Sequence, residues 1–389
     1  METPPSPPPP DVDGTLGLTA VLFRGRPRGM EPVTFRPPLY KQRYQLVVEL
    51  LESCRARKVA DLGCAQCTLL SRLKFCSCIE TLIGVDRDLD LLKENRRYLS
   101  PLPCDYLQPR PSPLTVRLYQ GSVAVKDPCM VDCDFVSCIE LIEHLDATEL
   151  ATFPCVLFGY MNPAVVVITT PNADFNILLP GIKQFRHCDH KFEWSRSEFE
   201  AWCLNNGHKY HYSVEFTGVG VGPAGAEALG FCTQIAIFRR EHAQTVQREL
   251  KKSESPYNLV YEVVYPSLKD QKILQDTILN EVIFASECVR QRFMDSSAGR
   301  PTEGRRQGAD DGVWAPAVFS PHLSGDLEVS RVGSRLYIPL HALFTIPRVR
   351  YLSGSLRCLQ EILQASDRVK LSHTGSMVLY PAEDENSDN

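Results

Sequence analysis

The chain predicts an α/β fold, a doubly wound, mostly parallel sheet with an extension after it. Three observations carry this: apolar strands alternate with helical segments from residue 58 onward, a glycine-bearing turn joins the first strand to the first helix after it, and the pattern changes abruptly near residue 240. Continuous apolar strands separated by helices belong to a parallel sheet covered on both faces. The prolines of FRPPLYKQRYQLVVELL end an extended segment, after which Leu39, Tyr44, Val47, Val48 and Leu51 keep helical spacing. Strands are expected at 58–62, 81–85, 114–119, 134–139 and 164–169, with helices at 67–75 and 89–98. A loop then spans 171–189, a helix 197–206, and two further strands 210–216 and 231–239, joined through the turn-rich GVGVGPAGAEALG. The sheet is thus expected to have seven strands and to close a domain at 34–240.

The flanks read differently. Residues 1–33, rich in proline and glycine, are expected to be disordered, and 241–389 to form an extension with a long helix at 268–293, a flexible linker at about 296–330 and a small helical or mixed module at 336–380. A regulatory or partner-binding tail is the expectation for it. With 389 residues, 43% hydrophobic and 23% charged, the chain has the composition of a globular protein of two domains, or one large one with appendages. A net charge of −5 argues against a broad basic surface, so no duplex DNA partner is expected, and any nucleic acid would be held at a local patch or at an end. No apolar run approaches the roughly 20 residues a membrane span needs. The 15 scattered cysteines indicate reduced, buried thiols and a cytosolic or nuclear setting. Cys64 and Cys67 form one C-x-x-C pair without a second at zinc-ribbon spacing.

Two groups of residues carry chemistry. In KVADLGCAQCTLL a strand runs into Gly63 and then a helix, the place where doubly wound sheets hold the polar part of a nucleotide. Asp86 closes the next strand and can accept from both ribose hydroxyls of an adenosine cofactor, while Gln120-Gly121-Ser122 is placed to meet the adenine edge. Asp61, leading a turn that lacks a third glycine, suits the amino group of S-adenosylmethionine better than NAD. The second group is Glu140, Glu143 and His144 in SCIELIEHL, joined by His190 in CDHKFEW. Positions i, i+3 and i+4 of one helical turn face the same way, so a divalent cation with open positions for substrate is indicated. His187 and Asp189 compete for places in this set. The nitrogen donors suit Mn2+ or Co2+ as well as Mg2+. A cation beside a methyl donor can polarise and position an alcohol, and chelation of two adjacent hydroxyls would recognise the terminal ribose of RNA. The same triplet also serves metal-free methyltransferases of small molecules, with the histidine structural or a base, and a catalytically silent RNA-end binder is a third reading.

The segments CIELIEHL, TTPN, DHKFEW and YSVEFTGVG together resemble the small-RNA 3′-terminal 2′-O-methyltransferases, in particular the animal form acting on PIWI-interacting RNAs, over roughly residues 34–239. The resemblance implies a Rossmann-like class I S-adenosylmethionine-dependent fold, with magnesium held by Glu140, Glu143, His144 and His190 as the catalytic set. It implies cofactor contacts from Gly63, Asp86 and Ser122, and makes Arg43 and Tyr44 of FRPPLYKQRY candidates for contact with the RNA end. Ala65 stands where a glycine is usual. No segment resembles the double-stranded-RNA-binding domains of plant members, which implies a single-stranded RNA 3′ end presented by a PIWI/Argonaute-class protein. Protection of that end, a cytoplasmic location in germ-cell RNA granules and a monomeric state are the accompanying expectations.

Overall fold

The computed structural model describes residues 33–179, 181–182, 184–241, 255–297 and 328–382. The proline-rich stretch read as disordered and most of the linker at 296–330 lie outside the described residues.

Helix α1 (Leu39–Cys54) follows Pro38 and ends on Arg55 in the left-handed region, φ 50°, whose N–H returns to the carbonyls of Leu51 and Glu52. Strands β1 (Lys58–Leu62), β2 (Thr81–Asp86), β3 (Thr115–Gln120), β4 (Phe135–Ile139) and β5 (Val165–Pro171) pair parallel in the order β5-β4-β1-β2-β3. Between them run α2 (Thr68–Leu73), α3 (Leu89–Asn95), α4 (Pro103–Leu107) and α5 (Ala147–Pro154). Helix α6 (Arg196–Tyr210) leads to β6 (Tyr212–Val221) and β7 (Phe231–Arg240), and β7 inserts antiparallel between β5 and β6. All seven residues of β5 are buried, as a central strand covered on both faces requires.

Successive side chains point to opposite faces of the sheet, and the strands divide accordingly. Ala60, Ile83, Val136, Ile168 and Phe238 pack with Phe153 of α5 and Phe199 of α6. Val59, Leu82, Phe135, Val167 and Ile235 pack on the other face with Val47 and Leu51 of α1 and Leu70 of α2.

The sheet does not stop at seven strands or at Arg240. An eighth, β8 (Asn258–Val264), pairs antiparallel with β3 and covers that edge. Its sequence hides it: NLVYEVV carries Glu262 in mid-strand, opposite Arg117, which it pairs with, and its residues are mostly exposed. A one-sided edge strand lacks the continuous apolar run of its neighbours. The lead into β8 is anchored by Asp127, fully buried, which accepts from the backbone N–H of Cys129 (2.8 Å) and Tyr257 (2.9 Å) and from the Ser255 hydroxyl. Burial pushes the Asp127 carboxyl up, but hydrogen bonds from Cys129, Ser255 and Tyr257 outweigh it and hold the group below its usual range. The Tyr257 ring lies over Gly121, where an added Cβ would come within 2.3 Å of it, and its hydroxyl donates to the carbonyls of Ser122 (2.9 Å) and Val125 (3.1 Å).

Beyond β8 lies a second core. Helix α7 (Gln271–Ser297), strands β9 (Ser330–Val332) and β10 (Arg335–Pro339), helices α8 (Leu340–Phe344), α9 (Pro347–Ser353) and α10 (Leu356–Gln364), and strands β11 (Lys370–Leu371) and β12 (Met377–Pro381) enclose Ile278, Val282, Leu336, Ile338, Leu343 and Leu359. The strands form a separate antiparallel sheet in the order β11-β12-β10-β9. The mixed module read from the sequence is therefore joined to the long helix in one core.

Asp127→Ala strands two buried N–H groups and is expected to destabilise the protein by roughly 3 kcal/mol, read from urea denaturation. A carboxyl depressed by folding contributes above its unfolded value, near 4, and loses that contribution as pH falls through its folded value. The difference from wild type is therefore expected to shrink below about pH 4.

Candidate active site

At the carboxyl edge of the sheet, β1 turns through Gly63, whose φ of 73° and tight fit require glycine: a Cβ there would sit 2.7 Å from the Leu141 side chain. Ala65 adopts φ 44° in the same turn, and its N–H donates to Asp86 Oδ2 at 2.9 Å. A left-handed alanine costs about 1 kcal/mol, and this hydrogen bond helps hold it. The other Asp86 oxygen accepts from the Asp88 N–H at 2.9 Å, so the carboxylate is oriented by the loop and keeps a lone pair on each oxygen for ribose hydroxyls. Asp61 is buried and accepts from the Ser137 hydroxyl at 2.6 Å; burial, against that hydrogen bond, pushes its carboxyl up to about 7. Ser122 accepts from the Ala124 N–H (3.3 Å) and reaches Glu149 Oε1 (3.4 Å), under the Tyr257 strap. The thiols of Cys64 and Cys67 are free and buried, lining this turn.

The expected metal set is brought together in part. One ligand atom each from Glu143, His144 and His190 lies within 4.8 Å of the others, and the two imidazole centroids are 4.9 Å apart. Glu140 is not in that group. The helical turn assumed for Glu140, Glu143 and His144 is absent: Glu140 follows β4 in the left-handed region, φ 52°, and only Ile142–His144 form a 3-10 turn. The cause is legible in β5. Thr169 and Thr170, adjacent on a strand, point to opposite faces. Thr169 donates to Glu140 Oε1 (2.9 Å), whose other oxygen faces the Arg43 guanidinium at 3.4 Å on the α1 side. Thr170 donates to Glu143 Oε2 (2.9 Å) on the α6 side.

Glu143 is completely buried, and its Oε1 has no hydrogen-bond partner. Burial, followed by the nearby Glu140 charge, pushes this carboxyl well above the usual carboxylate range. His144 is shifted down, by burial first and then by the charges of His190 and His187, so its ring stays neutral and able to ligate. His190 arrives on a loop docked by the Lys191 N–H on the Glu143 carbonyl (2.7 Å). Its Nδ1 lies 2.6 Å from Glu193 Oε1, which leaves Nε2 for the cluster, the arrangement by which carboxylates orient metal-binding histidines. Burial pushes Glu193 up, yet hydrogen bonds from Asn176, the Arg186 N–H and His190 outweigh it and keep it ionised. An orphaned buried carboxylate oxygen beside two imidazoles, one of them carboxylate-oriented, fits a divalent cation.

Of the competitors, His187 and Asp189 are exposed and sit 3.8 Å apart in a separate group with Cys188. Arg43, a candidate for contact with the RNA end, donates to Thr233 (3.1 Å) and lies 3.4 Å from Glu140 Oε2, at the margin of the cluster. Tyr44 lies under the Arg72 guanidinium, 5.5 Å from the ring centroid, and burial raises its hydroxyl above the usual range. Sequence reasoning missed Thr169, Thr170 and Glu193. The first two are in TTPN, and Glu193 is the acidic residue three positions after His190, a spacing that announces a histidine–carboxylate pair.

Comparison with known proteins adds a lineage to this geometry. The family described as the HENMT1 C-terminal domain matches residues 272–382, which make up the second core. A Gallus gallus protein named small RNA 2'-O-methyltransferase is 45% identical over 364 residues, covering 91% of this chain and 96% of its own. One of the same name from Mus musculus is 40% identical over 359 residues, 89% of this chain and 90% of its own. Among solved structures, the small RNA methyltransferase HEN1 superposes with a TM-score of 0.50 at 32% identity, over 62% of this chain and 29% of that one. A doubly wound sheet, a nucleotide turn and a carboxylate–imidazole cluster, in a chain 40–45% identical to these relatives over most of its length, lead to one assignment: it belongs to the small RNA 2'-O-methyltransferase family.

Proposed function

We propose that this protein transfers the methyl group of S-adenosylmethionine to the 2′-hydroxyl of the 3′-terminal nucleotide of a small single-stranded RNA, with a divalent cation held by Glu143, His144 and His190. The buried, unpartnered Oε1 of Glu143 supports this reading most directly: alone it is a costly orphan, and beside two imidazoles it is a ligand. PIWI-interacting RNAs presented by an Argonaute-class protein are the proposed substrates, in the cytoplasm, with the enzyme a monomer. Mg2+, Mn2+ and Co2+ all suit the mixed oxygen and nitrogen donors.

The chain's own residues divide the work. Asp61, when ionised, faces the cationic amino group of the methyl donor, and Asp86 accepts from its ribose. Glu193 holds the His190 ring by its Nδ1 and Thr170 fixes the Glu143 carboxylate. The cation would polarise and orient the ribose hydroxyls and lower the cost of removing the 2′ proton. Glu140 is proposed as the fourth donor; to join, it would exchange Thr169 and Arg43 for the cation. Arg43 then remains beside the vacated position with a guanidinium for the phosphate that joins the last nucleotide to the rest of the RNA.

Glu143→Gln is expected to lower methyl transfer at least a hundredfold while leaving S-adenosylmethionine affinity within about twofold, measured with labelled cofactor on RNA ending in ribose. EDTA or a 3′-deoxyribose end should have the same effect on wild type; transfer that survives both would refute the cation's role. Because burial and the Glu140 charge raise the Glu143 carboxyl, Mn2+ binding is expected to be linked to its deprotonation. Calorimetry in buffers of different ionisation enthalpy is expected to show proton release on binding, and affinity rising with pH until that carboxyl is ionised. Asp61 titrates near 7, so S-adenosylmethionine affinity is expected to fall as pH drops below about 7, and Asp61→Asn should weaken binding and flatten that dependence.

A further inference from the structure

The His190 end of the cation cluster rests on a run of hydrogen bonds that begins on the sheet. Arg186 is its first member. The Arg186 Nη2 donates to the carbonyl of Asn172, just past β5, and Nη1 to the carbonyl of Cys232 in β7 (2.9 Å). Its Nε donates to Oδ1 of Asn176 (2.6 Å), which sits on a 3-10 turn over Ala173–Leu178. Asn176 Nδ2 in turn donates to Glu193 Oε2 at 2.6 Å. The Glu193 side chain is 1% exposed, and its Oε1 accepts from the Arg186 backbone N–H (2.5 Å) and faces His190 Nδ1 (2.6 Å). The exit of β5 therefore serves both ends of the cluster: Thr170 holds Glu143, and Asn172, two residues on, anchors the path to His190.

This path has a direction. A guanidinium only donates and an ionised carboxylate only accepts, so the Asn176 amide between them has one orientation, oxygen toward Arg186 and nitrogen toward Glu193. With Glu193 held as an acceptor, the proton of a neutral His190 ring belongs on Nδ1 and the lone pair on Nε2, the nitrogen left for the cluster. A clamp serving stability alone would need contacts here but no particular polarity, whereas a metal-binding imidazole needs its lone pair on one given nitrogen. Resting on the cation reading proposed above, we propose that Asn176, oriented by Arg186, is a positioning residue for the cation: acting through Glu193, it fixes the His190 tautomer and so prepares the nitrogen donor before any ion arrives.

The test uses the full-length protein freed of metal. At about pH 9, where an ordinary imidazole is neutral, long-range proton–nitrogen correlation of the histidine rings is expected to show His190, assigned by its loss in His190→Gln, with hydrogen on Nδ1 and a bare Nε2. Asn176→Asp keeps the side-chain shape and the acceptor for Arg186 but sets a second carboxylate oxygen against Glu193. It is expected to shift His190 toward the other tautomer and to weaken Mn2+ binding about tenfold by calorimetry, with S-adenosylmethionine affinity within about twofold of wild type. Glu193→Ala already removes the receiving carboxylate, so adding Asn176→Asp to it should cost less than about twofold more. A wild-type His190 protonated on Nε2 alone would overturn the proposal without recourse to any variant. So would Asn176→Asp with wild-type Mn2+ affinity, a parallel loss of Mn2+ and S-adenosylmethionine binding, or full additivity with Glu193→Ala. A wild type that binds no Mn2+ would overturn the cation reading itself, a result distinct from these.

Discussion

The burial of the Glu143 carboxylate organises this protein's chemistry. A carboxylate taken out of water must find compensation, and here only half of it comes from the chain, through Thr170. The other oxygen faces two imidazoles, and the surrounding elements are shaped to keep it there: a 3-10 turn after β4, a loop docked on the Glu143 carbonyl, and Glu193 beneath His190. Removal of any of these supports would leave the same buried carboxyl with less to hold it toward the imidazoles. Such a centre is tolerated because the rest of the sheet supplies stability: β5 is buried throughout, and its neighbours pack on both faces.

Two adjacent threonines set the division of labour around that carboxylate. Because neighbours on a strand face opposite ways, Thr169 and Thr170 distribute Glu140 and Glu143 to opposite sides of one sheet edge. Glu140 joins the α1 side, with Arg43 and Thr233; Glu143 joins the α6 side, with the histidines. The negative charge of Glu140 still reaches Glu143 and raises its proton affinity, so the two acids are coupled across the sheet edge.

Most of the fold was legible because buried parallel strands write themselves as apolar runs. The runs at 58–62, 81–85, 134–139 and 164–169 became β1, β2, β4 and β5 with shifts of no more than a residue or two at each end. β8 escaped for the opposite reason, since an edge strand with a charged pair in its middle has no such run. At the site, residue identities were readable but their directions were not. A spacing of three and four implies a shared face only on a helix, and the left-handed backbone at Glu140 breaks that premise. Asn176 and Tyr257 were invisible because their importance comes from what folding brings against them, which spacing along the chain does not encode.

The strap formed by Tyr257 has a bearing on how the molecule is made. The Tyr257 N–H and its acceptor Asp127 are 130 residues apart, and that distant tyrosine also clamps the loop carrying Ser122. During synthesis from the N-terminus, the first five strands can assemble while the edge beyond β3 and the loop above it still stand open. The adenosine end of the pocket therefore reaches its finished shape late, when the ribosome has already released nearly two thirds of the polypeptide. A nascent chain would pass through a stage with its sheet in place and its nucleotide loop unclasped.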